Sequence, residues 1–438
     1  MDWNDKKVLI LGFSVSGKAA AEYLAGKNCS VFITEKRDEK PEDKTDIEKL
    51  QNLRVKIEFG GHSKEFLSDV DLAVTSPSLP LDSELYLTLK NNGVEIISEP
   101  DIAYLDSNTP FIAITGTNGK TTTTALVSHI LSTQFKALAC GNIGKPPVSL
   151  INDNPDYFVC EISSYQAIHS KYLTPKIACW TNFTPDHITW HGTVENYFDA
   201  KAQLFKSPEY AILNAKDEKL LEFSKTCGGK VFLFDEETEN SSYIKNDAIY
   251  FNNEKIIDLK DCSLVGHHNY QNIMCGVIIA KLVGITNENI KSAIMSFRAP
   301  EHRLEKVREL DGITFYNDSK ATNPEAAIVA IDSFNNKNVV LIAGGRDKLT
   351  DLTEFCNSVK SHITTVELIG EATERFEKEL KTNGFDNIIK EQTLESAIDK
   401  AIELKPDVVL LSPACASFDK FSGYEERGTV FKDYVLSK

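Results

Sequence analysis

A chain of 438 residues is too long for one hydrophobic core, so two or three domains are expected. Hydrophobic residues at 42% and charged residues at 26% match a folded globular protein and exclude disordered and fibrous architectures. The formal net charge of -16 repels polyphosphate backbones and no local basic patch offsets it, which argues against nucleic-acid binding; a small anionic ligand would need its own cation, helix N-terminus or metal ion.

The start, Met1-Asp2-Trp3-Asn4-Asp5, lacks the basic region of a secretion signal, and no apolar run approaches the ~20 residues of a membrane span. A cytoplasmic chain is expected. The first apolar run, residues 7–11, ends in the turn Gly12-Phe13-Ser14-Val15-Ser16-Gly17, and helical periodicity follows over residues 18–27. Strands are then expected at 31–33 and 71–75, the second leading into Ser76-Pro77-Ser78-Leu79-Pro80, and this block fades near Ser98. A second block opens with a strand at 111–115 and continues with strands at 157–162, 177–181 and 210–213. Its polar stretch 235–261 reads as a surface excursion, a small antiparallel hairpin, before helical periodicity returns at 269–282. Pro300 marks a third block, with strands at 313–316, 339–343, 366–369 and 408–411. Alternating strand-like and helix-like segments predict parallel α/β sheets, in three domains covering 1–97, 98–299 and 300–438. The nine cysteines (29, 140, 160, 179, 227, 262, 275, 356 and 415) are odd in number, lack C-x-x-C spacing and lie mostly in apolar runs, so they read as reduced core residues.

The most informative stretch is Ile112-Ala113-Ile114-Thr115-Gly116-Thr117-Asn118-Gly119-Lys120-Thr121-Thr122, an apolar strand entering a glycine turn and then a helix. Backbone N–H groups of such a turn, with the helix N-terminus, cradle phosphate oxygens; Lys120 can neutralise phosphate charge and Thr121 can ligate Mg²⁺. The loop departs from G-x-x-x-x-G-K-[ST], because Ile114 stands where the first glycine would be. Gly12-x-Ser14-x-x-Gly17 lacks the middle glycine of a dinucleotide fingerprint, so an ordinary strand-to-helix turn is the stronger reading and a nicotinamide site is not expected.

Residues Thr115 to Thr122 resemble the ATP loop of the Mur ligases and their relative folylpolyglutamate synthase. The resemblance continues in order through Gly141-Asn142-Ile143-Gly144, Glu161-Ile162-Ser163-Ser164-Tyr165-Gln166, Thr181-Asn182-Phe183-Thr184-Pro185-Asp186-His187 and Ala200-Lys201. It extends through Gly266-His267-His268-Asn269-Tyr270-Gln271-Asn272, His302-Arg303-Leu304-Glu305, Asn317-Asp318-Ser319-Lys320-Ala321-Thr322-Asn323-Pro324 and Ser412-Pro413-Ala414-Cys415-Ala416-Ser417-Phe418-Asp419. The last two, with Tyr424-Glu425-Glu426-Arg427-Gly428, resemble the branch that adds D-glutamate.

The resemblance implies an N-terminal Rossmann-like parallel sheet binding a UDP-linked substrate, a central P-loop ATPase-like sheet binding ATP, and a C-terminal Rossmann-like domain that closes on ATP and binds D-glutamate. The implied activity is ATP- and Mg²⁺-dependent ligation of D-glutamate to UDP-N-acetylmuramoyl-L-alanine through an acyl phosphate, a cytoplasmic step of peptidoglycan precursor synthesis carried out by a monomer. Gly116, Thr117, Asn118, Gly119, Lys120, Thr121 and Thr122 would hold the phosphates, with Asn269, Asn272, Arg303 and Asp318 as further nucleotide contacts. Thr121, Glu161, His187 and Lys201 would serve two Mg²⁺ ions, with Lys201 carbamylated into an anionic ligand and Asn142 orienting Glu161 or the phosphates. Ser14, Val15, Ser16, Thr34, Glu35, Ser76 and Asn142 would face the UDP-linked substrate; Lys320, Thr322, Lys348, Ser417, Phe418 and Tyr424 would face D-glutamate. Thr34 where an acidic residue is expected, Ser78 for a common glycine and Tyr424 for a common Phe depart from the family pattern.

Taken singly, each residue has a plainer reading. Glu161 could be a strand-end surface carboxylate, His187 a capping histidine, Lys201 a solvated helix residue, Lys348 part of a charged loop, and the Asn, Arg and Asp contacts caps or surface ion pairs. Three rival functions stay open: a ligase of the same family with another amino acid or folate, a regulatory ATPase, and an oxidoreductase. The absence of an N-K-x-D base-reading motif argues against a nucleotide switch.

Overall fold

The computed structural model describes residues 1–77, 79–298, 301–334, 337–347 and 349–438, leaving out the side chains of Thr189 and Glu325 as well. Ser78, Pro300 and Lys348 therefore lie outside the described residues. Three sheets organise the chain. The first contains β1 (Lys7–Leu11), β2 (Ser30–Thr34), β3 (Lys56–Glu58), β4 (Leu72–Thr75) and β5 (Glu95–Ile97), all parallel in the order β3-β2-β1-β4-β5. The helix Val15–Leu24 starts three residues before its periodicity suggests, because the Ser14 hydroxyl accepts from Gly17 N and caps it.

The second sheet contains β6 (Phe111–Thr115), β7 (Ala137–Gly141), β8 (Tyr157–Glu161), β9 (Ile177–Trp180), β10 (Tyr210–Asn214), β11 (Lys230–Phe234), β12 (Ser241–Lys245), β13 (Ala248–Phe251) and β14 (Glu254–Asp258). Their order is β14-β13-β12-β11-β10-β9-β6-β8-β7. Every residue of β6 and β9 is buried, as a parallel strand covered on both faces requires. The polar stretch expected to form a surface hairpin is instead an antiparallel meander, β12 to β14, that continues the main sheet through the parallel pair β11 and β12.

The third sheet contains β15 (Glu305–Leu310), β16 (Ile313–Asn317), β17 (Val339–Gly344), β18 (Thr365–Ile369), β19 (Ile388–Lys390) and β20 (Val408–Leu411), in the order β15-β16-β20-β17-β18-β19. Only the β15–β16 pair is antiparallel among these. Two compact units result, one comprising Met1–Asp261 with Gln271–Ser296, the other Cys262–Tyr270 with Phe297–Lys438. All nine cysteines are free thiols, seven of them buried. No helix among the described residues is long and apolar enough to cross a membrane.

Candidate active site

In the first unit the sheet order brings separate motifs to one edge. β6 lies between β8 and β9, so the glycine loop after β6, Glu161 at the end of β8 and the segment after β9 are neighbours at the carboxyl ends of the strands. The loop needs its glycines: Gly116 has φ +148° and Gly119 φ +81°, and a Cβ at Gly116 would lie 1.9 Å from Thr181 Oγ1. Its apex is held by the segment after β9. Thr117 N donates to Asn182 O (3.0 Å), Asn118 N to Asn182 Oδ1 (2.8 Å), and Thr181 Oγ1 to Asn118 O (2.6 Å). Lys120 Nζ donates to the carbonyls of Gly116 (3.0 Å) and Thr117 (2.7 Å), which holds the cation over the loop. Thr121 is buried in the first turn of the helix Lys120–Leu131, and Thr122 lies beside it.

Glu161 is 1% exposed and is not a surface carboxylate. Asn142 Nδ2 donates to Glu161 Oε1 at 2.8 Å, and Asn142 N to Glu161 O at 2.9 Å. Gly141 makes this pass possible at φ +88°, since a Cβ there would meet the Glu161 carbonyl at 2.3 Å. His187, at φ +55°, stands at the N-cap position of the short helix Ile188–His191 without a side-chain capping bond, and its Nε2 lies 3.4 Å from Asp186 Oδ2.

Lys201 is 1% exposed on the helix Val194–Ala202, against the expectation for a lone helix lysine. Its Nζ donates to Gly116 O at 2.8 Å and lies 4.8 Å above the Tyr197 ring. Burial first, and the nearby Lys120 charge second, push its pKa well below the ordinary lysine value, so the amine is driven toward its neutral form. Among the described residues no three His, Cys, Asp or Glu side chains form a ready-made metal centre. The hydroxyl of Thr121 and the carboxylate of Glu161 are hard oxygen donors, which suits Mg²⁺ sharing phosphate oxygens.

The first sheet places its candidates at its own switch point, between β1 and β4. Gly12, at φ +106°, passes close to Ser76, and Ser14 and Ser16 exchange a hydrogen bond of 3.2 Å beside the exposed Val15. Glu35 Oε2 accepts from Phe13 N at 2.8 Å, so the carboxylate reaches the turn. Thr34 does not: its buried hydroxyl faces Glu58, Gly61 and His62 on the β3 side.

Asn272, in the first unit, accepts from Thr123 Oγ1 at 3.0 Å and packs on Gly119, against the glycine loop itself. Asn269, in the second unit, is buried and donates to Val265 O at 2.8 Å.

The second unit gathers the loops after β16, β17 and β20. Asp318 is buried, accepts from Ser412 Oγ (2.8 Å) and Leu304 N (3.1 Å), and has its pKa raised to about 7, mainly by burial, with the Arg303 charge opposing. Lys320 Nζ lies 5.2 Å over the Tyr424 ring. Ser417 is buried, Phe418 is 63% exposed, and Thr322 N donates to Lys320 O. Lys348 lies outside the described residues.

Sequence reasoning assigned no role to Arg427, yet it ties these loops together. Its buried guanidinium donates to the hydroxyl and carbonyl of Ser319 and to the Cys415 carbonyl. Its signal was present in the Tyr424 to Gly428 motif, but not its direction. Asn182 was quoted only as part of a motif, and Glu99 and Asp101 were not singled out at all.

Comparison with known proteins covers the whole chain. Residues 6–98 match a model of the MurD-like N-terminal domain of Mur ligases, 114–280 the Mur ligase middle domain, and 302–415 the Mur ligase glutamate ligase domain. The UDP-N-acetylmuramoylalanine--D-glutamate ligase of Thermoanaerobacter sp. (strain X514) is 39% identical over 453 residues, covering 99% of each chain. The fold resembles the UDP-N-acetylmuramate-alanine ligase MurC of Thermotoga maritima, with TM-score 0.62, 18% identity, and 99% and 100% of the two chains covered. It also resembles the MurF ligase of Thermotoga maritima in complex with ADP, with TM-score 0.61, 15% identity, and 99% and 96% covered.

Proposed function

The chain belongs to the Mur ligase family, and from that premise we propose that it joins D-glutamate to UDP-N-acetylmuramoyl-L-alanine with ATP, a step of peptidoglycan precursor synthesis. An unactivated carboxylate does not acylate an amine. Its oxygen first attacks the γ-phosphorus of ATP, ADP leaves, and an acyl phosphate forms. The D-glutamate amine then attacks the acyl carbon, loses a proton, and the tetrahedral intermediate expels phosphate as the amide forms.

The observation that carries the reading is the meeting, at one sheet edge, of the glycine loop with Lys120, the Asn142–Glu161 pair and buried Lys201. Lys120 and the loop amides hold and neutralise the phosphates, where charge develops as ADP leaves. Mg²⁺, when bound, would neutralise the triphosphate and so lower its repulsion of the incoming carboxylate. Thr121, Glu161, His187 and a carbamylated Lys201 would hold two such ions. The buried Lys201 amine supports that modification: its nitrogen lone pair adds to carbon dioxide, a proton departs, and a cation becomes an anionic oxygen ligand. In the same reading Ser14, Val15, Ser16, Glu35 and Ser76 face the sugar nucleotide, and Lys320, Thr322, Ser417, Phe418 and Tyr424 face D-glutamate. The domains are 1–97, 98–299 and 300–438, and the chain works as a cytoplasmic monomer.

Phosphate release with UDP-N-acetylmuramoyl-L-alanine, ATP and a panel of amino acids tests the function. D-glutamate is expected to be preferred; preference for another amino acid, or turnover of ATP with none, overturns it. Intact mass and bicarbonate dependence test Lys201: a bare amine in fully active enzyme rejects the carbamate.

A further inference from the structure

The first turn of the helix Glu99–Asp106 stitches the first sheet to the central one. Asp101 accepts from three successive backbone amides, Lys171, Tyr172 and Leu173, at 2.8–2.9 Å, and Ser98 Oγ meets Ser170 Oγ at 3.2 Å. Glu99 is different. It is 3% exposed, and its Oε1 accepts from Val148 N at 2.7 Å, on the segment that continues the Asn142 loop. Its Oε2 is buried and has no hydrogen-bond partner among the described residues.

Glu99 also lines a cavity of about 10 Å³, together with Ser16, Thr75, Gln166 and His169. His169, which lines the same cavity, is 5% exposed and carries a second orphan atom: its Nε2 bonds the Leu79 carbonyl at 3.2 Å, while its Nδ1 has no partner among the described residues. Because a carbonyl can only accept, Nε2 carries the proton and Nδ1 is left as an acceptor. Burial keeps the ring neutral, with its pKa near 4, and raises the Glu99 carboxyl to about 8, so near neutral pH the acid offers a donor. A donor and an acceptor, both buried and both unpartnered among the described residues, thus belong to two side chains that line a space fitting one water, and buried polar groups beside such a space are ordinarily joined by one.

We propose that Glu99 and His169 are bridged by a single ordered water, and that this bridge makes both of them positioning residues for the reaction. The water accepts from Glu99 and donates to His169 Nδ1. The bridge holds the helix Ser164–Ala167, which begins just after Glu161 and whose Ser164 and Tyr165 contact His191 and His187. Through Val148, Glu99 also braces the loop whose Asn142 holds Glu161 from the other side. Both supports of Glu161 therefore converge on one side chain. The kinetic part of this inference rests on the ligase reading; the bridge itself does not.

The test is a double-substitution cycle with Glu99→Leu, His169→Phe and their combination, read by kcat/KM for the sugar nucleotide, KM for ATP and thermal midpoint. Each single change is expected to lower kcat/KM roughly tenfold, the scale of one buried hydrogen-bonded link, with KM for ATP unchanged. The combination should fall no further than the worse single, since both remove one bridge. Glu99→Gln, which keeps an acceptor for Val148 N and a donor for the water, should recover most of the rate lost in Glu99→Leu. A high-resolution crystal structure of the unsubstituted protein should show one water within hydrogen-bond reach of both atoms. Losses that multiply, no rescue by Gln, or an empty cavity overturn the proposal. If the unsubstituted chain forms no amide, the ligase reading falls, while the midpoint cycle and the water density still decide the bridge. Should Glu99→Leu not fold, Glu99→Gln, His169→Phe and the density carry the test.

Discussion

In the proposed reaction Lys120 and Glu161 both act on charge, and their removal should be felt in rate before it is felt in stability. Lys120→Ala and Glu161→Ala are each expected to lower turnover at least 100- to 1000-fold, on the scale of losing a preorganised charge-stabilising group. Far-ultraviolet circular dichroism should stay unchanged, and near-normal phosphate release in either variant would mean that its role is misassigned. Glu367 makes a prediction of a different kind. It is fully buried in β18, both carboxyl oxygens lack hydrogen-bond partners among the described residues, and burial, then repulsion from Glu391, raises its pKa from about 4.5 to about 8. The folded state therefore binds more protons than the unfolded one between those values, so this group's stabilising contribution is present below pH 4.5 and is lost as pH rises through 8. Glu367→Leu should flatten that dependence and raise the thermal midpoint at pH 9 by about 5 °C or more, as a few kcal/mol would. A variant whose midpoint tracks the unsubstituted protein from pH 5 to 9 would show that Glu367 does not titrate there.

At the scale of elements, the helix Glu99–Asp106 determines how firmly the first two sheets are joined. Asp101→Ala would strand three backbone amides, of which the buried one of Leu173 alone costs about 1–3 kcal/mol, and should open residues 170–174 to proteolysis before global unfolding. Equal protease resistance in the variant would refute that. The phosphate loop is equally intolerant. Gly116→Ala would drive a Cβ into Thr181 Oγ1 and should weaken ATP binding at least about tenfold by calorimetry. These two elements also mark what the sequence could reveal. The glycine loop was legible because strand, turn, lysine and threonine are contiguous, and fully buried β6 and β9 read as unbroken apolar runs. Short or edge strands such as β3, β5, β15 and β19 were not, since three residues, or a charged run like Glu305–Leu310, carry little periodicity. The direction of Thr34 was not legible, because its position at the end of β2 says nothing about which neighbour its hydroxyl meets. Asp101 shows locally only as the capping-box partner of Ser98; its other partners, across the sheets, lie about seventy residues away.

For the whole molecule, burial of the thiols predicts how the chain meets an aromatic disulfide reagent. Only Cys29 and Cys227 are partly accessible, and burial raises the pKa of both, so native protein should release at most two equivalents of chromophore slowly, and denatured protein nine. Fast release of more than two from native protein would contradict the packing. The same outlook applies to the nine-stranded sheet, which ends in β14 with Glu254, Lys255 and Asp258 along a five-residue strand. The meander is a bumper: without it, the largely apolar β11 would present unpaired amides and carbonyls to solvent, an invitation to a second copy of the chain. Excising residues 241–258 should therefore raise light scattering with concentration even where the phosphate loop still binds ATP, so the segment most easily dismissed as decoration is what keeps crowded molecules apart.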